Sequence, residues 1–273
     1  VTVRNGTWIG RGLSRTAGKN IVQCKLNTDE AVNSTSLGVD TDTGWLDNDV
    51  IAVASTTRTI TECENGTLNG NAGASSLTVD GFAGAGGGLA AAHGGDATTG
   101  VVAEVILLTR NIFIHGTSTT AQAFVDIQAP AVVDLEWIEF YNMGSATASK
   151  RGIDVKTTSA GSCSIKYCSC HNFEVDTSIG INITGVSGSV IASDNTFYRV
   201  SADAITFVAT TGSHTITDNT AIRGLTANSN TRMITAGDVG STFTGNVAVG
   251  WAVSNSNATG AIKILEVGAT VTG

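Results

Sequence analysis

The chain has 273 residues, a formal net charge of −8 and only 14% charged residues, with 33 glycines and a single proline. That balance excludes a phosphate-neutralising nucleic-acid binder, which needs clustered Lys and Arg, and the 41% hydrophobic content excludes a disordered chain. The longest apolar stretch, Val101 to Leu108, is broken by Glu104 and is too short to span a bilayer, so no membrane insertion is expected.

In chain order, short strands are expected over Val1 to Val3, Thr7 to Ile9 and Asn20 to Leu26, then over Val50 to Ala54 and Thr57 to Glu62. A Gly/Ala-rich stretch from Gly81 to Gly95 follows, and a strand from Val101 to Leu108 continues into Asn111 to His115. From about residue 117 the text becomes repetitive. Gly-Ser pairs at Gly161, Gly188, Gly212 and Gly240 each open a short strand that runs into Asn172, Asn195, Asn219 or Asn246. Ile153, Ile181, Ile205, Ile234 and Ile262 mark a second register of apolar-alternating runs.

A repeat of about 25 residues with short strands and no helical period is the signature of a parallel β-solenoid. The four asparagines are expected to form a structural ladder at one corner, each amide bonding a bend and its counterpart one coil on. Ten or so coils would give a rod on the order of 50 Å long. The start without Met and the stop at Thr-Gly read as an excerpt of a longer polypeptide, whose remainder or further subunits would cover the open coil ends.

The segment Trp45 to Thr56 resembles the start of the glycine-eight domain found in fibrocystin and in the cell-migration-inducing and transmembrane hyaluronidase-like proteins. Glu62 and Glu64, then His93-Gly94, then Ala103 to Ile112 resemble further pieces of that family in the same order, over residues 44–116. The stretch Ala83 to Ala92 and the Asp-Thr-Asp-Thr-Gly start depart from it, and the text is also similar to that of β-helical bacteriophage fibre proteins. The resemblance implies a right-handed parallel β-helix with a glycine-eight-like β module at its N-terminal side. Residues 1–116 would form strands and module continuous with the solenoid, and 117–273 the repeats.

For chemistry, the resemblance puts forward His93 and Arg110 as residues able to touch an anionic sugar. Glycoside hydrolysis needs two carboxyl groups across the bond; Glu104, Glu136 and Glu139, with Asp134 nearby, are the candidates. Glu136 and Glu139, three apart, would face opposite sides of a straight strand, whereas Glu104 and Glu136 could meet from adjacent coils. Asp40, Asp42, Asp47 and Asp49 have the alternating spacing of a calcium loop, with a solvated acidic turn as the default. Cys163, Cys168 and Cys170 beside His171 could be a soft-metal cluster, or small residues stacked inside the coils. Cys24 and Cys63 complete an odd set of five, which is no disulfide framework. Sequons at Asn5, Asn33, Asn65, Asn182 and Asn257 matter only in a eukaryotic secretory setting.

The expected function is a non-enzymatic extracellular or virion-surface fibre component, contacting a glycan or receptor and assembling as a homo-oligomer or with other fibre subunits. A polysaccharide-degrading, hyaluronidase-like enzyme and a carbohydrate-binding adhesin module are the alternatives. No cofactor is expected beyond the calcium of the acidic loop.

Overall fold

The computed structural model describes residues 2–4, 6–14, 16–57, 59–95, 100–118, 123–128, 131–145, 150–156, 162–174, 178–208, 212–223, 232–236, 241–250, 262–264 and 270–272. Gly161 and Gly240 of the Gly-Ser pairs, and Asn5 and Asn257 of the sequons, lie outside them.

Three parallel sheets form a β-solenoid. The first face stacks Thr2–Arg4, Val125–Gln128, Ile153–Lys156, Ile181–Thr184, Ile205–Val208, Ile234–Ala236 and Ile262–Ile264. The second stacks Thr7–Arg11, Val132–Glu136, Cys163–Lys166, Val190–Ser193, His214–Thr217, Thr242–Thr244 and Thr270–Thr272. The third stacks Ile112–His115, Ile138–Tyr141, Ser169–Phe173, Thr196–Val200, Thr220–Ile222 and Val247–Val249. Every neighbouring pair is parallel and in register, and the five isoleucines face one another along the first sheet. At about 4.8 Å per step, the seven-stranded faces make a rod on the order of 30 Å, shorter than the repeats suggested.

The core lies between the faces. Ile153, Ile181, Ile205 and Ile234 pack there with Val133, Leu135, Ile165, Phe140, Phe173 and Phe197. Each such side chain, fully removed from water, contributes roughly 1.5–3 kcal/mol before chain entropy is counted. Cys163, Cys168 and Cys170 are among these inward residues, and all five cysteines are free and buried.

A single left-handed residue turns the chain from the second face to the third: Trp137 (φ 55), Tyr167 (φ 53), Asp194 (φ 55), Asp218 (φ 54) and Gly245 (φ 65). Only the last is a glycine, so four coils hold a conformation that costs an L-residue about 1–2 kcal/mol. The next position repays it. Asn195 Oδ1 accepts from the Cys168 amide at 3.0 Å, and Asn219 Oδ1 accepts from the Asn195 amide and side chain at 3.1 and 2.9 Å. Asn246 Oδ1 does the same for Asn219 at 3.1 and 2.9 Å. The remaining amide hydrogens reach the Ile165, Ala192 and Ile216 carbonyls at 2.8–2.9 Å.

Asn172 is not part of this column. The coil before Asn195 has Cys168 at the ladder position. Asn172 lies four residues further on, in a second left-handed column with Asn142 and Arg199 (φ 50, 58 and 54), a conformation that Asn tolerates well. The final Gly-Ser pair is also displaced. Pairing of Thr215 with Thr242 puts Ser241 opposite His214, one position later than Ser189 and Ser213, and its side chain is buried.

The solenoid begins well before residue 117. Thr2–Arg4 and Thr7–Arg11 are its first two strands, and Ile112–His115 is the third of the same coil. Residues 12–111 therefore stand where every later coil has one left-handed residue. Leu13 N donates to Asn111 Oδ1 at 2.9 Å, stitching the exit to the return.

This insertion folds as a six-stranded antiparallel sheet in the order Gln23–Lys25, Glu104–Leu107, Val50–Val53, Glu64–Leu68, Ser76–Asp80, Ser36–Gly38. Thr57 to Glu62, expected as a strand, instead ends in a short 3-10 turn over Ile60–Glu62. The Ser55 and Thr57 hydroxyls both bond the Glu62 carboxylate, a local alternative to a ladder. One side of the module sheet buries Trp45, Ile51, Val53, Leu77, Val105 and Leu107 in a core of its own. The other packs Ala52, Ala54, Ile106 and Leu108 on Tyr198 and Ile222 of the third face.

Candidate functional site

The residues singled out for chemistry are mostly spent on structure. His93 is buried inside the module, its Nδ1 2.9 Å from the Ala54 carbonyl and its Nε2 2.7 Å from Glu64, whose carboxylate also accepts the Ala90 and Ala91 amides. Arg110 is the pin between module and solenoid. Its guanidinium donates to Leu107 O at 3.0 Å, Thr109 O at 2.9 Å, Thr196 Oγ1 at 3.1 Å and the Tyr167 carbonyl, and lies 5.4 Å from the centre of the Trp137 ring. Burial pulls its pKa down to about 10, partly countered by the nearby Cys168 and Glu139. Thr196 Oγ1 to Leu107 O at 2.8 Å and Ser169 Oγ to Leu108 O at 2.5 Å continue the seam.

Glu104 sits on the module sheet with Lys25 Nζ 3.5 Å away, and burial raises its pKa. It does not meet Glu136, which lies on the outer second face between Arg11 and Lys166 in register. His93, Glu104 and Arg110 are all buried, each held by local partners.

Each acidic residue of the expected calcium loop has a local partner of its own. Asp40 caps the Lys25 amide at 3.0 Å, Asp42 pairs with Lys19 at 2.5 Å, Asp47 accepts from Gly70 N at 2.6 Å, and Asp49 from Leu46 N at 2.8 Å. Among the described residues no group of three or more His, Cys, Asp or Glu is placed to hold a metal ion. Cys163, Cys168 and Cys170 share the buried core, where burial pushes the Cys163 and Cys168 thiols up to about 12 and Cys170 up as well, while His171 lies in the next outward column, bonded to Glu139. Asn33 Oδ1 accepts from Ala85 N at 2.7 Å and Asn182 donates to Asp154 at 2.6 Å, both local structural uses.

Two open depressions lie among the described residues. One, of about 360 Å³, runs along the outer second face and is lined by Thr7, Ile9, Arg11, Asp134, Glu136, Ser162, Ser164, Lys166, Ser189 and Ile191 among others. There the Arg11 guanidinium grips Asp134, whose hydrogen bond and then charge raise the arginine's pKa. The other, of about 260 Å³, opens between the module and the third face and is lined by Val50, Asn65, Leu108, Phe113, Glu139, Tyr141, His171 and Asn172. Its aromatic wall follows from strand register: His115, Tyr141 and His171 occupy one outward column. Sequence reasoning missed it. The signal was an inward residue followed by an outward ring, in Ile114-His115, Phe140-Tyr141, Cys170-His171 and Phe197-Tyr198.

The chain is thus an all-β protein: a parallel solenoid whose first coil carries an antiparallel module. No family model and no curated protein matches it. The solved structures similar to it include two phage tailspikes. One is the Gp54 tailspike of Acinetobacter baumannii bacteriophage AP22, solved in complex with A. baumannii capsular saccharide: 9% identity, 83% of this chain, 38% of that chain, TM-score 0.26. The other is the Pseudomonas phage phi297 tailspike gp61: 8% identity, 86% of this chain, 58% of that chain, TM-score 0.25. The chain therefore spans less than two thirds of either tailspike. Neither superposition supports transfer of a site residue.

Proposed function

We propose that the chain is a stiff, glycan-contacting component of a virion-surface fibre. The carrying observation is the unbroken register of three parallel faces, which turns single residues into columns and leaves long lateral surfaces. Such a surface suits an extended polymer better than an enclosed cofactor, and the second-face cleft offers hydroxyls, carboxylates and cations to one. A virion surface is the setting we assign, in keeping with fibre-like repeats. The module is taken as a glycine-eight-like unit on the resemblance of Trp45 to Thr56 and Ala103 to Ile112. A non-enzymatic role agrees with the sequestering of His93, Glu104 and Arg110, and assembly with further subunits would cover the exposed coil edges.

The test is retention on surfaces coated with bacterial capsular polysaccharides, with reducing ends assayed in the same samples. Retention without release is expected. Release of reducing ends, abolished by Glu136→Gln or Asp134→Asn, would overturn the non-enzymatic reading, and absence of retention on every polysaccharide would overturn the glycan contact.

A further inference from the structure

We propose that the crevice between the module and the third face binds one neutral sugar ring, an inference that rests on the glycan-contacting reading and gives it a site. Four rings form a continuous patch at its mouth. Phe113 and Tyr141 lie 6.0 Å apart at 21°, Phe113 and His115 4.5 Å apart at 26°, and Tyr141 and His171 4.9 Å apart at 43°. Phe113 is 49% exposed although later coils fill its column with Glu139, Ser169, Thr196 and Thr220. Its ring belongs to none of the buried cores and packs only on the rings of this patch among the aromatic contacts of the described residues.

A pyranose presents an apolar C–H face and a rim of hydroxyls, and an aromatic wall beside a few fixed polar groups is complementary to both. The polar groups are here. The Glu139 carboxylate is buried and oriented by two donors, the Arg110 amide on Oε2 at 3.0 Å and His171 Nε2 on Oε1 at 3.0 Å. A carboxylate has about four acceptor sites, so two bonds leave capacity for a pair of vicinal hydroxyls. Asn172 and Asn65 add amides at the rim.

The charge of the lining selects the sugar. Among the described residues no Lys or Arg lines the crevice, and the Arg110 guanidinium is turned away into the seam. A uronate would bring a second carboxylate toward Glu139 with no cation to receive it, so neutral hexoses are favoured over acidic ones. At about 260 Å³ the space falls just short of the ~300 Å³ at which drug-sized pockets begin, which suits one ring of a chain passing outside.

The experiment is saturation-transfer NMR on the whole chain with methyl β-glucoside, methyl β-galactoside and methyl β-glucuronide as probes. At least one neutral hexoside should show saturated ring protons, with the glucuronide silent. Phe113→Ala and Tyr141→Ala should weaken binding by at least about tenfold. Asn172→Gly, which keeps the left-handed backbone, should weaken it less. Phe113→Ala removes an exposed ring and keeps the fold testable by circular dichroism. Silent neutral probes, an equally strong glucuronide, or full binding by folded Phe113→Ala would overturn the site. Wild type and Phe113→Ala retained equally on polysaccharide would sink this crevice while leaving the wider glycan reading intact.

Discussion

In the coils each contact is made many times over, whereas in the module each is made once. The ladder from Asn195 to Asn246 repeats one hydrogen-bond pattern, and the isoleucines of the first face repeat one packing site. The module instead relies on single events: Trp45 in its core with its indole N–H on Ile21 O at 2.7 Å, His93 bridging Glu64 and Ala54, and Arg110 at the seam. Repetition spreads stability along a rod. A module of unique contacts concentrates it, so individual substitutions there should act on the whole unit.

The cysteines let the two regions be followed separately. Cys24 and Cys63 belong to the module, and Cys163, Cys168 and Cys170 to the coils, so labelling of each thiol during urea unfolding reports on its own region. The largest expected effect is from Arg110→Ala, which strands buried carbonyls on both sides of the seam and should cost about 3–5 kcal/mol. Cys63 should then label at lower urea than Cys163; simultaneous labelling would mean that module and coils unfold as one. Next comes Asn219→Ala, which orphans the Asn195 amide and the Ala192 carbonyl and should cost about 3 kcal/mol, exposing the coil thiols first. His93→Ala takes the imidazole from the Ala54 carbonyl and from Glu64, which keeps the Ala90 and Ala91 amides, and should cost about 2 kcal/mol, with the module thiols leading.

The smallest effects are of opposite sign in the two regions. His214 is buried against Phe207, and burial lowers its pKa. Its unfolded form binds the proton more readily, so the coils lose stability as pH falls below about 6.5. His214→Val, matching Val190 in the preceding coil, should remove that loss. Glu104 has its pKa raised by burial, so the module is favoured at low pH and loses stability as pH rises past about 4.3. Glu104→Gln should flatten that slope. Urea midpoints of the two thiol sets between pH 4 and 8 would check both, and parallel slopes would contradict the comparison.

The same contrast governs what could be read in the sequence. The solenoid was legible because Ile153, Ile181, Ile205 and Ile234 recur at coil spacing, and the last three ladder asparagines with them. Asn172 misled because its coil has Cys168 at the ladder position, while Asn172 itself stands four residues on in a second left-handed column. Strands Thr2–Arg4 and Thr7–Arg11 were legible as strands continuous with the solenoid, but not their coil partner, since Ile112–His115 is separated from them by the entire module. The module's own pairing was hidden for the usual reason in antiparallel sheets: register there is set by partners distant in sequence. The aromatic crevice needed both readings at once, because its wall comes from coil register and its far side from Val50 and Asn65 of the module.

The point at which the chain leaves the first coil has a bearing on how such molecules diversify. Arg11 and Ile112 align with Glu136 and Ile138, which are separated by Trp137 alone, and the gap between them is tied by Leu13 and Asn111. A folded unit whose two ends meet that closely is a cassette: it can be swapped or removed while the neighbouring winding keeps its pitch. Deleting 13–111 would leave Gly12 to make the corner unaided, and a different cargo riding in the same slot would change what the rod carries without changing the rod.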